Sequence, residues 1–364
     1  MATSCVMKEL GSEFAWPGPV EQPLLPWPRP HVLLGLGRSA VLTLLRHVAP
    51  AGTTLHVPSF FCPSVIDFWR RSGAALSTYS DHPGQAEPDW STLNVKAGEW
   101  VLAMNYFGVR DAHGWDAWKG RHAGVHVIED HTHDPLSHWA MHSTADYAFA
   151  SLRKIFPAPD GALLWSPVGK SLPPEPVSVP CQGSSLKLAG MILKQEFLAG
   201  ASRRESDRAV FRDFETSGES LLESKGMTTV SPWSRVLLES GYPLSWRTRR
   251  LHNVRDFCHQ FSQDLPTGPQ VSLLFSQWPA GHCPLNPVLV FSDEQQRERT
   301  RAGLIAERVF TPVHWQLGPE AGPVGHRLSK RLLTIPLDHR ATPADVLRVL
   351  GVIRRHVSGT QHAA

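Results

Sequence analysis

The stretch from Val125 to Gly161 constrains this chain more than any other. It opens with the apolar run Val125-His126-Val127-Ile128, which reads as a buried strand. That strand ends in the acidic pair Glu129-Asp130, followed by His131-Thr132-His133. A second strand-like run, Tyr147-Ala148-Phe149-Ala150, delivers Ser151, and Lys154 follows three residues later. The pattern therefore sets a carboxylate at one strand end and an amine just past another.

Each residue alone has an ordinary use, since an Asp at a strand end commonly forms a turn and a Lys is commonly solvated. Together they are the two groups that pyridoxal phosphate chemistry needs most. A lysine forms the Schiff base, and a carboxylate keeps the pyridine nitrogen protonated so that the ring acts as an electron sink. The rest of the chain decides whether that use applies.

A length of 364 residues leaves room for one large α/β domain and a smaller one. A net charge of +3 without long basic blocks argues against nucleic acid. No apolar run approaches the roughly 20 residues of a membrane span. The N-terminus, with Glu9 and Glu13 and no apolar core, does not read as a signal peptide. Five scattered cysteines without CxxC spacing fit reduced thiols and a cytoplasmic setting. Six histidines crowd residues 122 to 142, but they lack HExxH or Cys/His pairing, so no metal is expected.

Residues 1–30, rich in Pro and Trp, read as an irregular arm. Val32-Leu33-Leu34 then leads into Gly35-Leu36-Gly37-Arg38-Ser39-Ala40 and an amphipathic helix with Val41, Leu44, Leu45 and Val48 on one face. Ser39 stands where an N-cap is expected, and such a helix start is an anion site. Strands at residues 54–58, 75–79 and 100–104 alternate with helices and precede the central pair, as in a mostly parallel sheet. Ligands in such sheets bind beyond the carboxyl ends of the strands. Phe61, Asn105, Tyr106, Asp130 and Lys154 all fall at or just past such ends. Gly161 to Trp165 reads as a return strand, and residues 167–180 as a Pro-rich boundary. Ser185 to Phe214 reads as one long polar helix, Ser231 to Gln263 as one or two more, and the remainder as a smaller α/β unit.

Gly37-Arg38-Ser39-Ala40, the aromatic turn after Val57-Pro58, Asn105-Tyr106-Phe107-Gly108, Ile128-Glu129-Asp130 and Ser151…Lys154…Gly161 follow one another as in fold-type I pyridoxal phosphate enzymes. The chain most resembles the DegT/DnrJ/StrS sugar aminotransferases, closely over residues 31–165 and loosely beyond. The resemblance implies a mostly parallel central sheet with helices on both faces plus a smaller C-terminal α/β domain. It divides the chain into an arm (1–30), a large cofactor-binding domain (31–265) and a small domain (266–364). It implies pyridoxal 5'-phosphate as cofactor, with Lys154 as the Schiff-base lysine and Asp130 on the ring nitrogen. His133 would stand where the group usually has a Gln facing the ring's phenolic oxygen. Arg38, Ser39, Ala40 and Ser151 would hold the phosphate, and Phe61 would stack on the ring. Asn105, Tyr106 and Phe107 are the candidates for substrate contact. It further implies a cytoplasmic homodimer that moves an amino group from a donor to a carbonyl substrate, such as a keto-sugar or a related biosynthetic intermediate.

This sequence departs from the group in three places. The Ser-to-Lys interval is shorter, the Gly-rich run after the lysine is replaced by Ile155 to Gly161, and no Asn- and Arg-bearing partner loop is evident between residues 205 and 235. Three alternatives stay open, one of them a non-catalytic homologue that binds a ligand or partner. The same cofactor supports dehydration, aldol-type cleavage or condensation, and His133 would suit the extra acid–base step. Ser151-Leu152-Arg153-Lys154 is also literally S-x-x-K, the acylating motif of penicillin-binding hydrolases, although its SDN and KTG companions are missing.

Overall fold

The computed structural model describes residues 8–18, 20–176, 181–200, 204–265 and 270–358. Seven strands form the main sheet: β1 (His31–Leu34), β2 (Thr54–Pro58), β3 (Ala75–Tyr79), β4 (Trp100–Met104), β5 (His126–Asp130), β6 (Tyr147–Ser151) and β7 (Ala162–Trp165). Their spatial order is β1-β7-β6-β5-β4-β2-β3. The pairs β2/β3, β2/β4, β4/β5 and β5/β6 are parallel, whereas β7 runs antiparallel to both β6 and β1. The α/β architecture with a mostly parallel sheet is therefore the one observed.

Period-2 alternation sends the apolar residues of each strand to both faces. Leu55, Val57, Leu102, Met104, Ile128 and Phe149 enter one core with Val41, Leu44, Phe68 and Trp69 of the helices Gly37–His47 and Pro63–Arg71. Val101, Ala103 and Val127 face the opposite way, onto Trp115 and Trp118 of the helix His113–Arg121. With both faces covered, polar chemistry is left to the strand ends.

A second sheet of β8 (Val271–Leu273), β9 (Val288–Phe291) and β10 (Leu332–Thr334) is antiparallel. Its core also takes Val254, Phe257 and Phe261 from the helix Leu244–Asp264 and Val349 and Ile353 from the helix Pro343–Ser358. The arm is tied to its own chain. Leu10 bridges Val309, Leu24–Leu25 pairs with Tyr242–Pro243, and the indole N–H of Trp27 donates to the Leu238 carbonyl at 2.6 Å. Residues 1–7, Pro19 and residues 177–180, which belong to the arm and the Pro-rich boundary, lie outside the described residues.

The long helix expected over Ser185 to Phe214 is two helices, Gln182–Leu198 and Glu205–Ser224, packed as an antiparallel hairpin. The first ends because Gly200 adopts a φ of 87°, a left-handed conformation that glycine takes without steric cost. The two helices approach closely at Gly183 and Gly218, where a Cβ built on Gly183 would stand 2.5 Å from the Gly218 carbonyl oxygen. Gly183→Ala should therefore lower stability by roughly 1–3 kcal/mol through overpacking. Gly120→Ala, at an open helical position, should be neutral or slightly stabilising. Urea unfolding of both variants measures the difference, and equal midpoints would refute the close approach.

Candidate active site

A cavity opens beyond the carboxyl ends of the parallel strands. Each loop there contributes to its wall: Gly37 and Arg38 after β1, Phe61 and Cys62 after β2, Met104 from β4, Asp130, Thr132 and His133 from β5, and Ser151, Arg153 and Lys154 from β6. Six residues singled out from the sequence thus meet at one cavity: Arg38, Phe61, Asp130, His133, Ser151 and Lys154.

Asp130 is buried, and its Oδ1 accepts the Thr132 N–H at 2.8 Å. Burial pushes its carboxyl up to about 6, against the pull of the hydrogen bonds from Thr132 and the charge of His131. Lys154 ends the short 3₁₀ turn Leu152–Lys154, and its amine is reached by solvent through the cavity while protein atoms crowd it. That crowding lowers its proton affinity, and the neighbouring Arg153 charge lowers it further. His133 is buried, and its Nδ1 accepts the Phe107 N–H at 2.8 Å, so the neutral ring carries its proton on Nε2. Burial, His314 and Lys154 all oppose its ionisation.

The helix Gly37–His47 points its N-terminus at Ser151. A Cβ on Gly37 would lie 2.9 Å from the Ser151 Cβ, so only glycine lets the helix start pack this closely on Ser151. The expected N-cap is corrected here. Leu36 caps the helix without a side-chain bond, and Ser39 is its third residue, donating its N–H to the Leu36 carbonyl. The Ser39 hydroxyl is buried without a hydrogen-bond partner among the described residues, and Ala40 is buried beside it in the core. The helix start at Gly37 and Arg38, with Ser151 beside it, makes an anion site at the cavity wall, whereas Ser39 and Ala40 lie buried behind that wall. The Arg38 guanidinium turns elsewhere. It donates to the Leu222 and Glu223 carbonyls at 2.8 Å each and lies over Phe68.

Phe61 lines the cavity, stacked on Trp69 at 5.6 Å, whereas Phe60 is buried behind it against Tyr106. Asn105, Tyr106 and Phe107 also lie behind the wall, because the turn after β4 folds inward. The Tyr106 hydroxyl donates to the Phe60 carbonyl at 2.6 Å, the Asn105 Oδ1 accepts the Arg110 N–H, and Phe107 holds His133. They position residues that line the cavity. Ser151 and Lys154 both reach the cavity, but no hydrogen bond joins them among the described residues.

Sequence reasoning missed several lining groups. The Thr132 hydroxyl accepts the Ser151 N–H at 3.0 Å and so ties β5 to β6. An Asp-x-Thr turn at a strand end was the available signal. His314 and Trp315 arrive from the distant C-terminal part, with the Trp315 ring near Phe61 and His133. Glu219, Leu222 and Glu223 come from the helix Glu205–Ser224, in the segment that corresponds to the family's partner loop. Asp160, after the lysine, accepts hydrogen bonds from Ser184, Ser231 and Ser234 and thereby fixes the loop Ile155 to Gly161.

Burial and the nearby Lys154 hold His314 down to about 3. Its folded pKa lies below the unfolded value of about 6.5, so the unfolded state binds more protons between those limits. Stability should fall as pH drops from 6.5 toward 3, with His314 contributing roughly 2–3 kcal/mol of that loss by pH 4.5. His314→Gln should flatten that slope in urea titrations at pH 7 and 4.5, and an unchanged slope would contradict the assignment.

No family model matches the sequence, and no curated protein matches it. Solved structures do match in shape. The aminotransferase TlmJ from Streptoalloteichus hindustanus aligns over 90% of this chain and 86% of its own, with a TM-score of 0.60 and 16% identity. A DegT DnrJ EryC1 StrS aminotransferase from Brucella abortus aligns over 90% and 86%, with 0.56 and 15%. NtdA from Bacillus subtilis, solved with bound cofactor PMP, aligns over 91% and 74%, with 0.57 and 12%. At such identities the likeness is one of fold, and that fold is the fold-type I architecture of pyridoxal-phosphate-dependent aminotransferases.

Proposed function

We propose that this chain is a pyridoxal-phosphate-dependent aminotransferase that transfers an amino group from a donor to a carbonyl compound, such as a keto-sugar or a related biosynthetic intermediate. One observation carries the proposal: Lys154, the buried Asp130 and the open N-terminus of the helix Gly37–His47 all face one cavity at the strand ends. The PMP held by the similarly folded NtdA supports the choice of cofactor.

The residues present fit this group. The helix start at Gly37 and Arg38 and the Ser151 hydroxyl would hold its phosphate, with the Ser39 hydroxyl buried behind it and unpartnered among the described residues. Among the described residues no cationic side chain is bonded to Asp130, and a protonated ring nitrogen would supply that charge. Phe61 and Trp315 would cover the ring and exclude water, and the His133 Nε2–H is a donor for its phenolic oxygen. Bound there, pyridoxal phosphate supplies an aldehyde carbon for amine capture and a ring that withdraws electrons from the substrate's α-carbon. Lys154, with its proton affinity lowered, takes the proton from that α-carbon and later returns one. Asp130 keeps the ring nitrogen protonated while it does so.

The same proposal includes a cytoplasmic homodimer. The free thiols of Cys62, Cys181, Cys258 and Cys283 support a reducing compartment. Exposed Ile192, Leu193, Leu198 and Val210 on the hairpin offer apolar surface to a second copy.

Protein incubated with pyridoxal phosphate should show a visible absorbance band and convert amino acids to 2-oxo acids. Lys154→Ala should lose both. Asp130→Asn should keep the bound cofactor but lose roughly 100-fold or more in turnover, as expected when electrostatic stabilisation is removed. Absence of the band in the unaltered protein, or near-normal turnover in Asp130→Asn, would overturn the proposal.

A further inference from the structure

A second cavity lies next to the first, and four residues line both: Arg153, Lys154, Glu219 and His314. At this junction the Arg153 guanidinium grips the Glu219 carboxylate with two hydrogen bonds of 2.6 Å each. The Lys187 amine donates to the same carboxylate at 2.6 Å. Lys187 is almost fully buried, and Glu13 stands 3.5 Å from its amine. Among the described residues the buried Arg153 Nε–H has no partner, so the fork has a donor to spare. Across the second cavity Asp338 is neutralised by Arg340 at 2.7 Å.

We infer that Arg153 and Lys187 form a seat for the carboxylate of the amino donor, which Glu219 fills in the free protein and a bound donor displaces. The inference rests on the proposed function for the identity of the ligand. A fork-shaped guanidinium with a lysine beside it is the arrangement that recognises a carboxylate. Its place beside Lys154 puts a carboxylate close to the amine that works on the donor's α-carbon. Glu219 sits on the helix Glu205–Ser224, whose Gly218 packs on Gly183, so it is presented at high effective concentration. An incoming carboxylate must compete with it. Arg153 and Lys187 are positioning residues for the donor, and Glu219 is the internal competitor that raises the concentration of donor required.

Calorimetric titration of the cofactor-free protein with succinate, and with uncharged succinamide as control, tests the seat without any catalytic step. Glu219→Gln should bind succinate at least tenfold more tightly than the unaltered protein. Adding Arg153→Gln should abolish that gain, and succinamide should not bind. Should Glu219→Gln fail to fold, Glu219→Asp, one methylene shorter, should bind succinate about threefold more tightly. In the cofactor-loaded protein, Glu219→Gln should lower KM for the amino donor and leave KM for the carbonyl acceptor unchanged. Succinate affinity equal to that of the unaltered protein in the folded variant, or a gain that survives Arg153→Gln, would overturn the seat. A missing absorbance band at Lys154 would overturn the aminotransferase proposal instead, leaving the succinate result to be judged by itself.

Discussion

The buried carboxylate of Asp130 is the constraint around which the site is arranged. A strand covered on both faces carries it into the interior, where an unpaired charge is costly. With its carboxyl raised to about 6, ionisation at neutral pH costs on the order of 3 kcal/mol relative to an exposed Asp. Only the Thr132 bonds and the more distant His131 offset that cost. His131 is itself spoken for, because its Nε2 meets Glu129 at 2.8 Å and the same Glu accepts the Trp139 indole N–H. A carboxylate kept in this state is poised for a cation from outside the chain, and the cavity at its tip is where one can enter.

The groups opposite Asp130 are held with comparable care. His133 is fixed in one tautomer by a backbone N–H, and Phe107 supplies that N–H from a left-handed φ of 54°, an uncommon conformation for an aromatic residue. The buried pair Arg110–Asp81, at 2.7 Å, clamps the same turn from below while the guanidinium lies over Tyr106. On the far side the helical hairpin closes the cavity with Glu219, Leu222 and Glu223, and Arg38 ties its end to the helix Gly37–His47. Wall and floor are thus braced by different parts of one chain.

Much of this arrangement was legible in local sequence. The strands Thr54–Pro58, Ala75–Tyr79 and Trp100–Met104 begin and end where the apolar runs do, and Asp130 and Lys154 stand out because they follow such runs. Long-range contributions were not legible. His314 and Trp315 carry no local pattern, since their role comes from packing against a strand end far away in the chain. The break of the hairpin depends on the φ of Gly200, and the use of Glu219 depends on which helix face meets Arg153. Ser39 shows a subtler limit. A Gly-x-Ser helix start looks like a cap, but the cap falls three residues earlier, at Leu36, which leaves the hydroxyl unspent.

In the proposed function, one molecule of cofactor spans the distance from Lys154 to the helix start at Gly37 and Ser151. Borohydride reduction of the protein loaded with pyridoxal phosphate, followed by mass spectrometric mapping of its peptides, tests it most directly. One phosphopyridoxyl group per chain is expected, on Lys154, with labelling suppressed by inorganic phosphate. A label spread over Lys119, Lys170, Lys187 or Lys194, or labelling of Lys154 that phosphate leaves untouched, would contradict it.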